Sequence, residues 1–343
     1  MTIIDAHTHI ANIGDNYAPL YAMAERLRYD KLSVLSLQSS GDLLQNLVCA
    51  QCKASHPGMT YAFGGLDYAT GRDFAAQAKN LRAMGFDGVK MLEGKPTTRK
   101  QLNMALDDPA YDGFYSYLEE TGFPVLMHVA DPGTFWDKEK IPSWALEQGW
   151  YYDESHTPYG QYYDEVGRLL DKHPRLRAIF AHFFFVSGDP GHLQRFLDSH
   201  PAVSVDITAG VEMYEDFSKD PVFWREFFIK NSSRIIFGTD SDDSATDQNE
   251  RDVALNGYAG MEIEFMRHDK DLEIYGMKLH GLGLPQDALE QIFSLNYIKY
   301  VGEAPRIMDF CALEKESALI RPFLTGEEQI NRLDLILSRL KAV

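Results

Sequence analysis

The chain has 343 residues, 45% of them hydrophobic and 24% charged, which supplies one large core and excludes intrinsic disorder as its main state. Thirty-three basic against fifty-one acidic residues leave a formal charge of -18, and with no basic patch in view this excludes nucleic acid as a partner. Three cysteines make no secreted disulfide framework, no apolar run of about eighteen residues could span a bilayer, and Met-Thr-Ile-Ile-Asp-Ala-His is no export leader, so a cytoplasmic protein without a membrane partner is expected.

In chain order, short β-branched and aromatic runs lie at Ile3 to Ile10, Leu32 to Leu37, Thr60 to Leu66, Gly88 to Leu92, Pro124 to Val129, Arg177 to His182, Val203 to Ile207 and Arg234 to Asp240. Helix-like stretches alternate with them at Asp42 to His56, Arg72 to Met84, Pro109 to Thr121, Gly160 to His173, Gly191 to His200 and Pro221 to Lys230. His173 and His200 each precede a proline, which cannot continue a helix, so both read as helix terminators. Eight strands with intervening helices in roughly 250 residues predict an α/β fold of the (β/α)8 TIM-barrel type and not an open sheet. Further helices are expected at Val253 to Arg267, Gln286 to Val301 and Glu327 to Leu340. No repeat and no Ser/Gly/Pro linker divides the chain, so residues 1–310 are read as the barrel and 311–343 as a helical extension packed on its outside.

The first strand ends Asp5-Ala6-His7-Thr8-His9, and the period of two along a strand sends His7 and His9 to one face. Imidazoles buried there need hydrogen bonds or a metal. Three more polar residues end otherwise apolar runs: His128 after Pro-Val-Leu-Met, His182 after Ala-Ile-Phe-Ala, and Asp240 after Ile-Ile-Phe-Gly-Thr. Strands one, five, six and eight of a barrel converge at its C-terminal face, where barrel active sites are built. Imidazoles and a carboxylate around one point suit a divalent transition metal, most simply one Zn2+, with Mn2+, Fe2+ or Ni2+ compatible in ligand type. A metal with an open position brings the pKa of bound water towards neutrality. Asp240 can ligate while accepting the proton, and His182 can orient the nucleophile or stabilise the developing charge, so the residues point to hydrolysis.

Ile-Asp-Ala-His-Thr-His, Gly88-Val89-Lys90, Pro-Val-Leu-Met-His followed by Ala-Asp-Pro, Ala181-His182 and Phe237-Gly238-Thr239-Asp240 together resemble the amidohydrolase superfamily. The subgroup they most resemble is the amidohydrolase-2, or aminocarboxymuconate-semialdehyde-decarboxylase-like, family. The resemblance runs from residue 3 to about residue 301, where Leu295-Asn296-Tyr297 resembles the Asn-Ala pair of that family's closing helix. It implies His7, His9, His128 and Asp240 as metal ligands and His182 as a catalytic residue or second-metal ligand. Tyr297 in place of a small residue is expected to affect packing only. Phe183-Phe184-Phe185, in place of a Leu-Gly pair, is expected to narrow the pocket. Lys90 holds a position that can be carbamylated to bridge two metals, but single-metal relatives also carry lysine there as a structural or substrate-contacting cation. The single-metal reading is adopted, with the binuclear one as the minority.

For Asp5 a hydrogen bond to a ligand histidine or a packing role in the barrel floor is expected and not metal contact, and Cys49 and Cys52 read as buried apolar residues because no second pair completes a tetrahedral site. The segment from Asp131 to Tyr163, with Trp136 among its many aromatics, is expected to form a lid, a substrate wall or a subunit contact, which leaves a homo-oligomer open. Lys95, Arg99 and Lys100 follow the fourth strand, where Lys95 and Arg99 could receive a substrate carboxylate. Asp242, Asp243, Asp247, Glu250 and Asp252 are expected to face solvent. The first reading is a metal-dependent hydrolase of a C–N or C–O bond in a small, anionic or cyclic substrate. The second is metal-dependent, non-oxidative decarboxylation of a small carboxylic acid. The third, from another class, is a non-catalytic metal- or ligand-binding barrel, which predicts no pocket beside the polar cluster.

Overall fold

The computed structural model describes residues 1–10, 17–208, 210–243, 259–274 and 276–342. Eight parallel strands follow one another around a single sheet in sequence order. They are β1 (Ile4–His9), β2 (Lys31–Leu35), β3 (Thr60–Gly65), β4 (Gly88–Gly94), β5 (Val125–Val129), β6 (Ala178–Phe180), β7 (Ser204–Asp206) and β8 (Ile235–Ile236). The ring closes where the segment after β8 runs along β1. The Ala6 amide donates to the Phe237 carbonyl at 3.1 Å, that of Asp240 to His7 at 2.8 Å and that of His9 to Ser241 at 2.8 Å. The fold is the expected (β/α)8 barrel, and its seam passes through the residues singled out for chemistry.

Alternate residues of each strand serve two cores. Val34, Ala62, Val89, Met127, Phe180 and Val205 belong to the apolar layer shared with the surrounding helices. Leu35, Phe63, Leu126, Ile179 and Ile236 fill the barrel's interior. Helices form where the pattern placed them, at Gln45–Ser55, Phe74–Met84, Asp112–Thr121, Tyr159–Lys172, Pro190–Ser199 and Pro221–Lys230. Asp73, Asp189 and Asp220 cap three of them, each side chain accepting a backbone N–H of the first turn. His173 and His200 are C-caps, as the prolines after them require.

The stretch from Gln286 to Val301 is helical throughout, with a π turn at Gln291–Leu295. Asn296 Nδ2 donates to the carbonyls of Ser232 and Ile235 at 2.6 and 2.7 Å, and Tyr297 donates to Ser33 Oγ at 2.7 Å from the barrel floor. Tyr297 is thus a packing residue. The helix Phe310–Ile320 lies against Phe74–Met84, and Glu327–Leu340 against Gln45–Ser55. Arg72–Glu316 and Arg332–Asp42 ion pairs, both at 2.7 Å, join these layers. Helices at Ala18–Leu27, Pro96–Leu102 and Val211–Lys219 and a hairpin of β9 (Asp271–Ile274) with β10 (Met277–His280) were not legible from periodicity. Of the expected helix Val253 to Arg267, residues 259–267 are helical and the remainder lies outside the described residues. No helix among the described residues is long and apolar enough to cross a membrane.

Candidate active site

His7 and His9 leave β1, Asp206 ends β7 and Asp240 follows β8, so three neighbouring strands deliver their polar ends to one place. The ring nitrogens there have assignable protons. His7 Nδ1 lies 2.9 Å from Asp206 Oδ2, and His9 Nδ1 lies 2.8 Å from the Leu35 carbonyl. Neither oxygen has a proton to give, so both imidazoles donate from Nδ1. Thr208 spends its hydroxyl proton on Asp206 Oδ1 at 2.6 Å, so the 3.1 Å contact with His182 Nδ1 is donated by His182. Burial, reinforced by Lys90, pulls His7 down to about 4, and burial pulls His182 down to about 3, so both rings are neutral at pH 7 with lone pairs on Nε2.

Those lone pairs face a carboxylate. Asp240 Oδ1 is 3.3 Å from His7 Nε2 and 3.1 Å from His9 Nε2, and Asp240 Oδ2 is 3.9 Å from His182 Nε2. Burial alone would raise Asp240, but in the acid range where it titrates the imidazoles of His7, His9 and His182 carry protons, and their charge holds the carboxyl well below the usual carboxylate range. A carboxylate ringed by nitrogen lone pairs needs positive charge in its midst, which the Lys90 ammonium, a proton on an imidazole or a bound cation can supply. Among the described residues, His7, His182 and Asp240 form a group whose ligand atoms all lie within 4.8 Å of one another. Imidazole nitrogen and carboxylate oxygen are donors for a divalent transition metal, so the residues present fit such an ion. Asp206 organises the cluster from behind: burial would raise it, yet His7, His182 and Thr208 hold it at about 2.

His182 begins a turn in which His182, Phe183, Phe184 and Phe185 all have left-handed φ, 56, 54, 59 and 51°. For residues with a Cβ this costs about 1–2 kcal/mol each, offset by burial of Phe183 and Phe184 in the outer core. Only Phe185 turns inward, stacking on His182 with ring centres 4.8 Å apart. Of the three phenylalanines expected to narrow the pocket, Phe185 is the one that reaches it. Beside this pair opens a cleft of about 780 Å³ lined by His182, Phe185, Tyr159, Tyr163, Glu212 and Met213 among others. That cleft corrects the non-catalytic reading, which required no pocket here. Burial pushes Glu212 up to about 7, so it is partly protonated near neutrality.

Lys90 is buried within β4 and not at its end, with Nζ 3.0 Å from His7 Nε2, and burial brings it down to about 8. His128 packs against His182, ring centres 4.9 Å apart, with its Nε2 on Asp131 Oδ1 at 3.0 Å. Lys95 pairs with Asp131 at 3.3 Å, and Arg99, buried, with Glu165 at 3.3 Å. Trp136 donates to the Thr157 carbonyl at 3.1 Å and packs on Tyr152 and Tyr159. The aromatic segment thus walls the cleft through Tyr159 and Tyr163, while Trp144 is exposed. Asp5 accepts the His7 and Thr239 amides and the Thr239 hydroxyl, behind the cluster as expected. Cys49 and Cys52 are buried thiols. Asp243 is buried, against the expectation that the acidic stretch faces solvent, whereas Asp247, Glu250 and Asp252 lie outside the described residues.

A family model described as "Amidohydrolase" matches residues 4–296. The chain belongs to the amidohydrolase family. Among solved structures this amidohydrolase is similar to 4-oxalomesaconate hydratase from Rhodopseudomonas palustris, with 12% identity, 94% of this chain and 99% of that one covered, and a TM-score of 0.52. It is similar to 2,6-dihydroxybenzoate decarboxylase from Rhizobium, with 13% identity, coverage of 88% and 98%, and a TM-score of 0.54. It is also similar to a dihydroxybenzoic acid decarboxylase from Polaromonas sp. JS666, with 12% identity, coverage of 88% and 96%, and a TM-score of 0.50. No curated protein matches.

Sequence reasoning passed over Asp206, Thr208, Asp131 and Glu212 in this amidohydrolase. Asp206 ends an apolar run just as Asp240 does, so the rule that found one would have found the other. Asp131 follows His128 by three residues, a reach that depends on the turn between them. Nothing in the sequence brings Glu212 to the cleft.

Proposed function

We propose that the chain is a metal-dependent lyase that removes carbon dioxide, without oxidation, from a small carboxylic acid. The observation that carries this reading is the convergence of imidazole Nε2 lone pairs on Asp240 beside an aromatic-walled cleft. The activities of the similar structures support it: a hydratase and two decarboxylases, each named for a small carboxylic acid. We assign one divalent ion to His7, His9, His128 and Asp240, with His182 beside it. Manganese, bound in the Polaromonas structure, ranks ahead of the zinc expected from ligand type. When bound, the ion supplies positive charge that draws a substrate carboxylate into the mouth of the barrel.

The protein's own groups then handle the proton. In such a reaction the carbon bearing the carboxylate gains a proton, the carbon–carbon bond breaks, its electron pair returns to the substrate and carbon dioxide leaves. His182 and Asp240 are deprotonated at neutral pH, whereas Glu212 is a proton store in the same cleft. Phe185, Tyr159 and Tyr163 exclude water and hold a flat substrate against His182. Lys90, buried next to His7, is a cation beside the mononuclear site.

Hydrolysis of a C–N or C–O bond is the second reading, favoured by the family's description and by the free Nε2 of His182, which can take a proton from water. The test is a panel of small hydroxylated and unsaturated carboxylic acids beside amides and lactones, with protein loaded with Mn2+ or Zn2+. Carbon dioxide release, with deuterium from D2O entering the vacated carbon, is expected. Cleavage of amides or lactones without carbon dioxide overturns decarboxylation in favour of hydrolysis.

A further inference from the structure

His7, His9 and His182 all donate from Nδ1, away from Asp240, and keep Nε2 for the site. His128 is arranged the other way round, because its Nε2 is the nitrogen engaged by Asp131 Oδ1 at 3.0 Å. Asp131 is buried, accepts the Tyr152 hydroxyl on Oδ2 at 2.5 Å and is paired with Lys95 Nζ at 3.3 Å. Lys95 Nζ in turn lies 4.2 Å from the centre of the Trp150 ring. With a hydroxyl and an ammonium already donating to it, Asp131 is a carboxylate acceptor, so the proton it shares with His128 belongs to the imidazole. A neutral imidazole protonated on Nε2 has its lone pair on Nδ1.

We propose that Asp131 is a positioning residue that holds His128 as the Nε2–H tautomer, so that Nδ1 is the nitrogen His128 keeps for the metal, whereas His7 and His9 keep Nε2 for it and His182 keeps Nε2 for the proton. Through its second oxygen Asp131 ties this ligand to Tyr152, whose ring packs on Trp136 and Phe135 in the aromatic segment that walls the cleft. The proposal rests on the metal reading for the ligand role alone; the tautomer stands without it.

The first experiment uses metal-free, 15N-histidine-labelled protein, in which two-dimensional NMR distinguishes rings protonated on Nε2 from those protonated on Nδ1. The His128 signals are assigned by their loss in His128→Gln. His128 is expected as Nε2–H, to become a tautomer mixture in Asp131→Ala, and to stay mainly Nε2–H in Asp131→Asn, which keeps an acceptor oxygen, and in Tyr152→Phe. Nδ1–H in the parent, or an unchanged ring in Asp131→Ala, overturns the proposal. The second experiment is a Mn2+ titration followed by electron paramagnetic resonance. Asp131→Ala is expected to weaken binding about 10–100-fold, the scale for losing a partner that orients a ligand, and Asp131→Asn to weaken it less. If Asp131→Ala does not fold, Asp131→Asn carries the same comparison with the parent. Equal Mn2+ affinity in parent and variants overturns the positioning role. A parent that binds neither Mn2+ nor Zn2+ overturns the metal reading instead, and the NMR result then decides the tautomer alone.

Discussion

Leu126 and His128 stand two residues apart on β5 and share a face by the period of the strand, yet they belong to different worlds. Leu126 joins Phe63, Ile179 and Ile236 in the apolar floor of the barrel, whereas His128 lies in the mouth against His182 and Asp131. β7 repeats the contrast, with Ser204 bonded to Tyr300 near the floor and Asp206 holding His7 in the mouth. The floor is held by apolar contact, which is non-directional and tolerant of detail. The mouth consists of buried polar groups that each need a named partner, which is why burial moves their pKa values so far from the ordinary. Fold and chemistry are therefore separable along the same strands.

That separation can be broken by substitution. The largest effect is expected from Asp240→Asn, because asparagine tolerates the left-handed backbone at φ 56° while removing the charge. Turnover should fall on the order of 10³-fold, the scale of losing a group that stabilises developing charge, with circular dichroism unchanged. Activity within a few fold of the parent would place the reaction elsewhere. Leu126→Ala in the floor should do the reverse, costing about 2–5 kcal/mol in urea unfolding through lost contact and a residual cavity. Its Mn2+ affinity should be unaltered.

Smaller effects sharpen the boundary. Asp206→Asn should cost about 10–100-fold in metal affinity by loosening His7, and a calorimetric titration that shows no change would return Asp206 to a purely structural role. For Glu212 the sign follows from its raised pKa: the acid form exists below about 7, so parental activity should decline as pH rises through that value. Glu212→Gln should lose that limb and run roughly tenfold or more slower below it; an unchanged profile would remove Glu212 from proton delivery. Tyr297→Phe deletes one buried hydrogen bond to Ser33 and should cost about 1 kcal/mol, seen as a small drop in Tm with no kinetic effect.

Much of this was legible in the sequence. The alternation of strand and helix, the helix ends at His173 and His200, and the polar residues closing apolar runs are local signals; of the five polar residues expected to converge, His7, His9, His182 and Asp240 come together, while His128 lies against the His182 ring with its Nε2 on Asp131. Partners were harder to read. Arg99 looked like a free cation near the mouth, but Glu165 from a later helix meets it in the interior. Asp243 looked like part of a solvated run and is buried. The three phenylalanines after His182 looked equivalent until a left-handed turn sent two into the outer core and one into the cleft.

The eightfold alternation and the candidates for chemistry follow from local order along the chain, because the strand period and the helix period are set by residues a few positions apart. Which nitrogen of each histidine keeps its proton, and which acids stay charged, depends instead on partners that folding brings from far along the chain. Those choices belong to contacts such as His7 with Asp206, 199 residues apart, made where the barrel closes and water is excluded.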